Sequence, residues 1–119
     1  MSTDSALYQF FNKFGIPAYP ETAVPDNAQM PYITYSYSET AFDAGDAYIT
    51  VNVWFKAESE LIPTTKAREI VDAVGYSGCI VKHDDGYIWL KQGTPLIQKI
   101  ADEDNTVKRR LINLNAEFF

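Results

Sequence analysis

Histidine and cysteine are almost absent from this sequence, which has one of each, His83 and Cys79, among its 119 residues. A single cysteine excludes an internal disulfide and a multi-thiolate metal site, and it is typical of a reducing cytosol. A single histidine excludes paired-histidine metal sites and the H-E-x-x-H motif. Four residues of extended chain would hold the two side chains about 13 Å apart, too far for proton transfer. We interpret Cys79 as a buried structural residue and His83 as a solvated turn residue, with a catalytic base or lone metal ligand as the alternative.

The sequence also has no glycine-rich phosphate loop, because neither G-x-G-x-x-G nor G-x-x-x-x-G-K-[ST] occurs in it. The acidic run at 102–105 lacks the glycine and the distal glutamate of a calcium loop, so we interpret it as a solvated turn. A metal-dependent hydrolase or nuclease, the enzymatic alternative, would need Asp84, Asp85 and Asp102 to converge on one ion. We predict no catalytic, cofactor or metal site and no enzymatic activity.

Long apolar runs and a basic surplus are missing as well. No uncharged apolar stretch approaches about 18 residues, and the first residues lack the basic start of a signal peptide, so we expect neither a membrane span nor export by that route. The formal net charge is −6 and the pI is about 4.6, which argues against a nucleic-acid-binding face. We expect no membrane contact and no specific nucleic-acid binding.

What the sequence does have is a large apolar and aromatic content. Hydrophobic residues make up 46% and aromatic residues 14% of the chain, which is typical of a folded body. One hydrophobic core is expected at this length, so residues 1–119 are predicted to form a single domain.

Hydrophobic periodicity predicts two helices and six strands. Apolar side chains recur at helical spacing near the N-terminus and again at 59–74, where Gly75 ends the pattern. The proline-rich stretch 15–31 predicts an extended connection. Successive hairpins predict an α+β fold, a mainly antiparallel sheet with two helices packed on one face, in the order α-β-β-α-β-β-β-β. Alternating or β-branched runs place the strands at 32–37, 48–55, 79–83, 87–91, 96–101 and 107–118.

Two charged segments are candidates for contacts with other molecules. The loop between the first two strands carries Glu39, Asp43 and Asp46 without any base. The only basic run contains Arg109 and Arg110, whose side chains point to opposite faces of a strand. A rim contact to an acidic partner, or to another copy of the chain, is therefore favoured over nucleic-acid binding.

Tyrosine and tryptophan are concentrated on the predicted strands, and alternation leaves some of them off the core side. They form either the uncovered side of a two-sided sheet or an interface, because these residues are enriched in protein contacts. The candidate interface residues are Glu39, Asp43, Asp46, Trp54, Arg109 and Arg110.

Three stretches give the sequence a resemblance to a known family. They are Met-Pro-Tyr-Ile-Thr-Tyr at 30–35, Ile-Thr-Val-Asn-Val-Trp-Phe at 49–55 and Arg-Arg-Leu-Ile-Asn-Leu-Asn at 109–115. Together with the short N-terminal helix and the helix after the second strand, they resemble the tail terminator and tail completion proteins of long-tailed bacteriophages.

The resemblance implies a virion structural protein with no catalytic residues. Such a protein forms a homo-oligomeric ring, usually a hexamer, that caps the tail tube and joins it to the head connector. The implied partners are the major tail tube protein and the head-connector proteins. The implied location is the tail of a virion made in the bacterial host cytoplasm, and DNA passes through the ring. The acidic loop would then line the channel or contact the tube.

Two other functions stay open from the sequence. One is another phage neck or head-completion protein. The other is a small cytosolic adaptor that binds a peptide with its aromatic face.

Overall fold

Six strands form one sheet in the computed structural model, which describes residues 3–39, 46–84 and 86–119. In chain order they are β1 (Ala18–Pro20), β2 (Tyr32–Glu39), β3 (Asp46–Lys56), β4 (Cys79–His83), β5 (Gly86–Ile100) and β6 (Val107–Phe118). Their order across the sheet is β1-β2-β3-β6-β5-β4. The described helices are α1 (Thr3–Phe11), α2 (Leu61–Val74) and two short 3-10 turns, Asn12–Phe14 and Glu21–Ala23.

One face of the sheet forms the hydrophobic core because buried residues alternate along its central strands. In β3 every odd-numbered residue from 47 to 55 is buried. Antiparallel pairing sets Ile49 opposite Leu114 and Val51 opposite Ile112, both of them buried in β6. Both helices add apolar side chains to the same cluster, among them Leu7, Phe10, Phe11, Ala67, Ile70 and Val71.

The sheet is curled, and α1 contacts both of its edge strands, β1 and β4. The apolar side of α1 fits this place. Phe11 is fully buried, and its ring centre lies 4.8 Å from that of Tyr35 in β2. Phe10 packs edge to face on Phe11 at 5.2 Å. The first helix therefore closes the open side of the curled sheet.

The prediction of a mainly antiparallel sheet is wrong at the proline-rich stretch, where β1 pairs with β2 in parallel. Prolines lack an N–H donor, so 15–31 was expected to hold no strand. The strand forms because other groups supply the bonds. The N–H of Ile33 donates to the carbonyl of Pro17 at 2.8 Å. The Asn12 carboxamide accepts from the N–H of Ala18 at 3.0 Å and donates to its carbonyl at 3.1 Å. The sheet is therefore mixed.

The predicted element order is also wrong, both because of β1 and because β5 is one long strand rather than two strands separated by a turn. Gly93 and Pro95 favoured a turn at this place. Both residues instead lie within β5, at an irregularity where its pairing with β6 shifts register between Gln92 and Ile97. The observed order is α-β-β-β-α-β-β-β.

Gly93 lies where β5 approaches β6 closely. A Cβ atom at this position would lie 2.6 Å from the carbonyl oxygen of Asn113, which is a backbone atom. The side-chain amide of Asn113 also donates to the carbonyl of Pro95 at 2.6 Å. Glycine therefore permits the approach of the two strands at the irregularity.

Helix α2 ends at Val74 as predicted, and it begins at Leu61, two residues after the predicted start at 59. The hydroxyl of Ser59 accepts from the N–H of Leu61 at 3.1 Å, and Pro63 lies in the first turn, where its missing N–H is not needed. Gly75 follows the helix with a φ of 82°. The helix packs against β3, β5 and β6, which brings Glu60 beside β6.

Within the described parts of the chain, neither helix has both the length and the apolar character that crossing a membrane requires.

Candidate assembly surface

Aromatic side chains form a row across the outer face of the sheet, opposite the face that packs on α1 and α2. The ring centres of Tyr19 and Tyr32 lie 6.0 Å apart, and those of Tyr32 and Trp54 lie 6.4 Å apart. The guanidinium carbon of Arg109 lies 4.7 Å from the Trp54 ring centre. We call these four residues the aromatic row. It exists because Tyr32, Trp54 and Arg109 are direct cross-strand neighbours.

Hydrogen bonds hold two members of the aromatic row, Arg109 and Trp54, in place. Nε of Arg109 donates to Oδ1 of Asn52 at 2.8 Å, and Nε1 of Trp54 donates to the hydroxyl of Thr34 at 3.0 Å. Both acceptors belong to buried residues. A partner that docks here would order few additional side chains, which lowers the entropic cost of binding.

The outer face is basic in an otherwise acidic protein. Alternation along β3 to β6 places Lys56, Lys82, Lys91 and Arg109 on it, with Glu117 as the only acid among the side chains described on these strands. Twelve of the 16 acids and all 10 bases have described side chains, so eleven described acids and six bases lie away from the outer face. The outer face of one copy is therefore complementary in charge to the remaining surface of another.

Arg110 points into the domain, as strand alternation predicts, and only 2% of it is exposed. Its guanidinium donates to the carboxylate of Glu60 and, at 3.2 Å, to the hydroxyl of Thr64. Arg110 therefore fixes α2 on β6, and its charge is not presented to a neighbouring molecule.

Glu60 is the centre of a cluster of bases. The ammonium groups of Lys99 and Lys108 lie 3.5 and 3.6 Å from its carboxylate, in addition to the contact with Arg110. The hydrogen bond from Arg110 is the main cause that holds the pKa of Glu60 below its ordinary value, and the two lysines add to it. A cavity of about 260 Å³ borders the cluster. The cluster ties the start of α2 to β5 and β6.

The three acidic candidates lie at the β2–β3 connection. Glu39 is the last residue of β2, and its backbone pairs with that of Ala47. Asp46 is the first residue of β3 and pairs with Glu117. Asp43 lies outside the described residues. Of the six candidates, the structure brings Trp54 and Arg109 into contact. An interface role for the six stays a prediction.

A second exposed area, at the edge strand β4, was missed from the sequence. Ile80 and Tyr87 are exposed, and Lys82 is exposed directly opposite Tyr87. Phe119 is exposed too, and two backbone hydrogen bonds of 2.8 and 2.9 Å join it to Tyr87. We call Ile80, Lys82, Tyr87 and Phe119 the β4 patch. The signal was available, because alternation over 79–83 places Ile80 and Lys82 on one side of the strand.

The side chains that enzymatic chemistry would use do not form a metal site in the described chain. Among residues 3–39, 46–84 and 86–119, no three histidine, cysteine, aspartate or glutamate side chains come together as metal ligands. Asp85, which the nuclease alternative requires, lies outside these ranges. Burial raises the pKa of the Cys79 thiol, which disfavours the reactive thiolate.

Comparison with known proteins gives a likeness of fold. A scan against protein-family models and a search of curated protein sequences found no match. Among solved structures, a chain in the virion of a native gene transfer agent (GTA) particle superimposes with a TM-score of 0.71. The likeness covers 98% of this chain and 94% of that chain, at 16% sequence identity. The two chains therefore share a fold over nearly their whole lengths.

Proposed function

We propose that this protein is a virion structural protein of the tail terminator type, in which a ring of identical copies caps the tail tube and joins it to the head connector. The observation that carries the proposal is the fold shared, over nearly the whole chain, with a chain of the GTA virion. The three stretches that resemble tail terminator proteins add to it. They coincide with the start of β2 and with parts of β3 and β6, and these three strands are adjacent in the sheet.

The surface of the domain supports assembly from copies of one chain. The outer face is basic and carries the aromatic row, whereas acids outnumber bases among the other side chains that the structure describes. The outer face of one copy is therefore attracted to the acidic side of another copy, whereas two outer faces repel each other. Face-to-side contacts are heterologous, and heterologous contacts close into a ring when the rotation between copies allows it.

In the proposed role, the protein acts by binding rather than by catalysis. Its partners are further copies of itself, the tail tube protein and the head-connector proteins, and its location is the virion tail. The aromatic row supplies the large, rigid anchors that stable protein contacts use.

Electron microscopy of particles made with and without this protein tests the proposal. Immunogold label against the protein should lie at the junction of head and tail. Loss of the protein should give unattached heads together with tails of irregular length, because uncapped tubes continue to grow. Restoring the wild-type chain should restore joined particles.

Two results would contradict the tail terminator role. The first is absence of the protein from purified particles. The second is normal tail length in its absence, with unattached heads as the only defect, which would point to a neck or head-completion protein instead.

A further inference from the structure

A groove between α1 and the β1–β2 side of the sheet is lined by acids and tyrosines. A cavity of about 350 Å³ lies there, and an adjoining cavity of about 330 Å³ shares Asp4, Pro20 and Tyr35 with it. Asp4 and Glu21 are the charged residues that line the two, and neither forms an ion pair with any residue that the structure describes. We call the site formed by Asp4, Tyr8, Glu21, Tyr35 and Tyr37 the acidic groove.

The groove contains a buried tyrosine side chain whose hydroxyl is left available to a ligand. Tyr35 is 6% exposed and lines both cavities, yet its hydroxyl makes no hydrogen bond within the described chain. Burial, together with the nearby Tyr8 and Asp4, raises the pKa of Tyr35 to about 12. Its oxygen is therefore a neutral acceptor at physiological pH. The hydroxyl of Tyr37 donates to Oδ1 of Asp4 at 2.9 Å.

The chemistry of the groove fits a lysine ammonium. Asp4 and Glu21 supply negative charge, and the oxygen of Tyr35 supplies a further acceptor for one of the three ammonium protons. Tyrosine rings bind the same cation through their faces. An anion or a purely apolar side chain would leave the two carboxylates without compensation.

The β4 patch carries a lysine that is free to enter such a groove. Lys82 is exposed and forms no ion pair with the residues that the structure describes. Lys91, on the neighbouring strand, differs because it is held by Glu117 at 3.0 Å and lies 4.8 Å from the Trp89 ring centre. Tyr87, opposite Lys82, offers apolar surface around the lysine.

The two surfaces belong to the same end of the domain. The rings of Tyr37 in the groove and Phe118 lie 6.5 Å apart, and the next residue, Phe119, bonds to Tyr87 of the β4 patch. The surfaces are nevertheless separate, because β1 and β4 are opposite edge strands with α1 between them. A closed ring requires two different, complementary surfaces on each subunit, placed at the same height along the ring axis.

We propose that copies of this chain associate head to tail, with Lys82 of one copy inserted into the acidic groove of the next. The inference rests on the proposed self-assembly and adds to it the residues that make the contact. The partner is a second copy, and the contact is a salt bridge surrounded by tyrosine rings.

Charge exchange between the two surfaces tests the contact. Glu21→Lys and Lys82→Glu should each weaken self-association about tenfold or more, measured by analytical ultracentrifugation at low salt, because like charges then face each other. A mixture of the two variants should assemble, since each groove then meets a complementary lysine or glutamate in an alternating ring. The matched control is Arg68→Glu, an exposed base of α2 that belongs neither to the outer face, nor to the β4 patch, nor to the acidic groove, and it should assemble like wild type.

A second variant keeps the test independent of charge. Tyr35→Phe removes the unpartnered hydroxyl and should weaken self-association several-fold while the circular dichroism spectrum stays native. Wild-type assembly that is unaffected by Glu21→Lys and Lys82→Glu would overturn this contact and leave the proposed ring intact. A wild-type chain that is monomeric at every concentration, with or without tail tubes, would overturn the proposed self-assembly together with the contact.

Discussion

Arg110 and Glu60 are 50 residues apart in the sequence, and they form an ion pair that joins strand β6 to the start of helix α2. The arginine is buried, whereas the glutamate is exposed on the surface. Removing Glu60 and removing Arg110 therefore have different consequences. Without Glu60, a charged guanidinium stays inside the domain with fewer acceptors.

Replacing Glu60 by glutamine should lower the melting temperature by several degrees at pH 7 and by much less in acid. The hydrogen bond from Arg110 holds the pKa of Glu60 below its ordinary value of 4.5, so the carboxylate stabilises the fold above that pH. This contribution is lost as pH falls through the folded-state pKa. The difference in melting temperature between wild type and variant should therefore shrink as the pH is taken from 7 to below 4. A constant difference would contradict the ion pair as its cause.

The double variant Arg110→Met, Glu60→Gln is the control for the buried charge. It should be more stable than Glu60→Gln alone, because methionine fills a similar volume without a charge to desolvate. Equal stability of the two variants would show that the buried guanidinium costs nothing once its carboxylate is gone.

Substituting Arg109 by alanine should leave the fold intact and weaken self-association about fivefold. The side chain makes a cation–π contact with Trp54 at the outer face, worth about 0.5–1 kcal/mol in an exposed setting. It also contributes a positive charge to that face. Light scattering over a concentration series measures association, and thermal melting measures the fold. Arg110→Ala should show the opposite pattern, with a large loss of stability. Loss of stability in Arg109→Ala would make it a structural residue instead.

Gly93→Ala should destabilise the domain by roughly 1–3 kcal/mol, because the added methyl group meets the carbonyl oxygen of Asn113 at 2.6 Å. Chemical denaturation gives the free energy of unfolding. Thr94→Ala, at the exposed next position, should change it by less than about 0.5 kcal/mol. Since the clash is with backbone, adding Asn113→Ala should not restore stability, and a full rescue would argue for a side-chain clash.

Alkaline pH should destabilise the fold through Tyr35. Its pKa rises from 10.0 to about 12 on folding, so the folded state keeps the phenol neutral while the unfolded state ionises. The contribution is fully present below pH 10 and is lost as the pH rises from about 10 to 12. Tyr35→Phe should flatten this part of the stability curve. The phenolate absorbance of the wild type should also show one tyrosine that titrates about two pH units late.

Elements with clear local signals were predicted well from the sequence. Strands at 79–83 and 107–118 have the predicted bounds, because alternation and flanking turn residues define both. β1 was missed because its outer bonds come from Asn12, a side chain that no local pattern connects to a strand. β5 was divided in two because the sheet accommodates Gly93 in a register shift that only β6 makes visible.

The candidate surface was predicted in part, for the same reason. Alternation correctly separated Arg109 from Arg110 onto opposite faces. The contact of Arg109 with Trp54 depends on the register of β3 and β6, which the sequence does not specify locally. Glu60 was not recognised as the partner of Arg110, because only the packing of α2 brings them together.

The bonds between Asn12 and Ala18 have a consequence for how the protein behaves at high concentration. An edge strand with free backbone groups invites strands of other chains and leads to uncontrolled polymers. Here the free edge of β1 is occupied by the Asn12 carboxamide, and Pro20 has no N–H to offer. The sheet is thus terminated on this side by its own chain. Newly made copies are protected from fibre formation at this edge, where side chains rather than backbone groups are left for contacts with other copies.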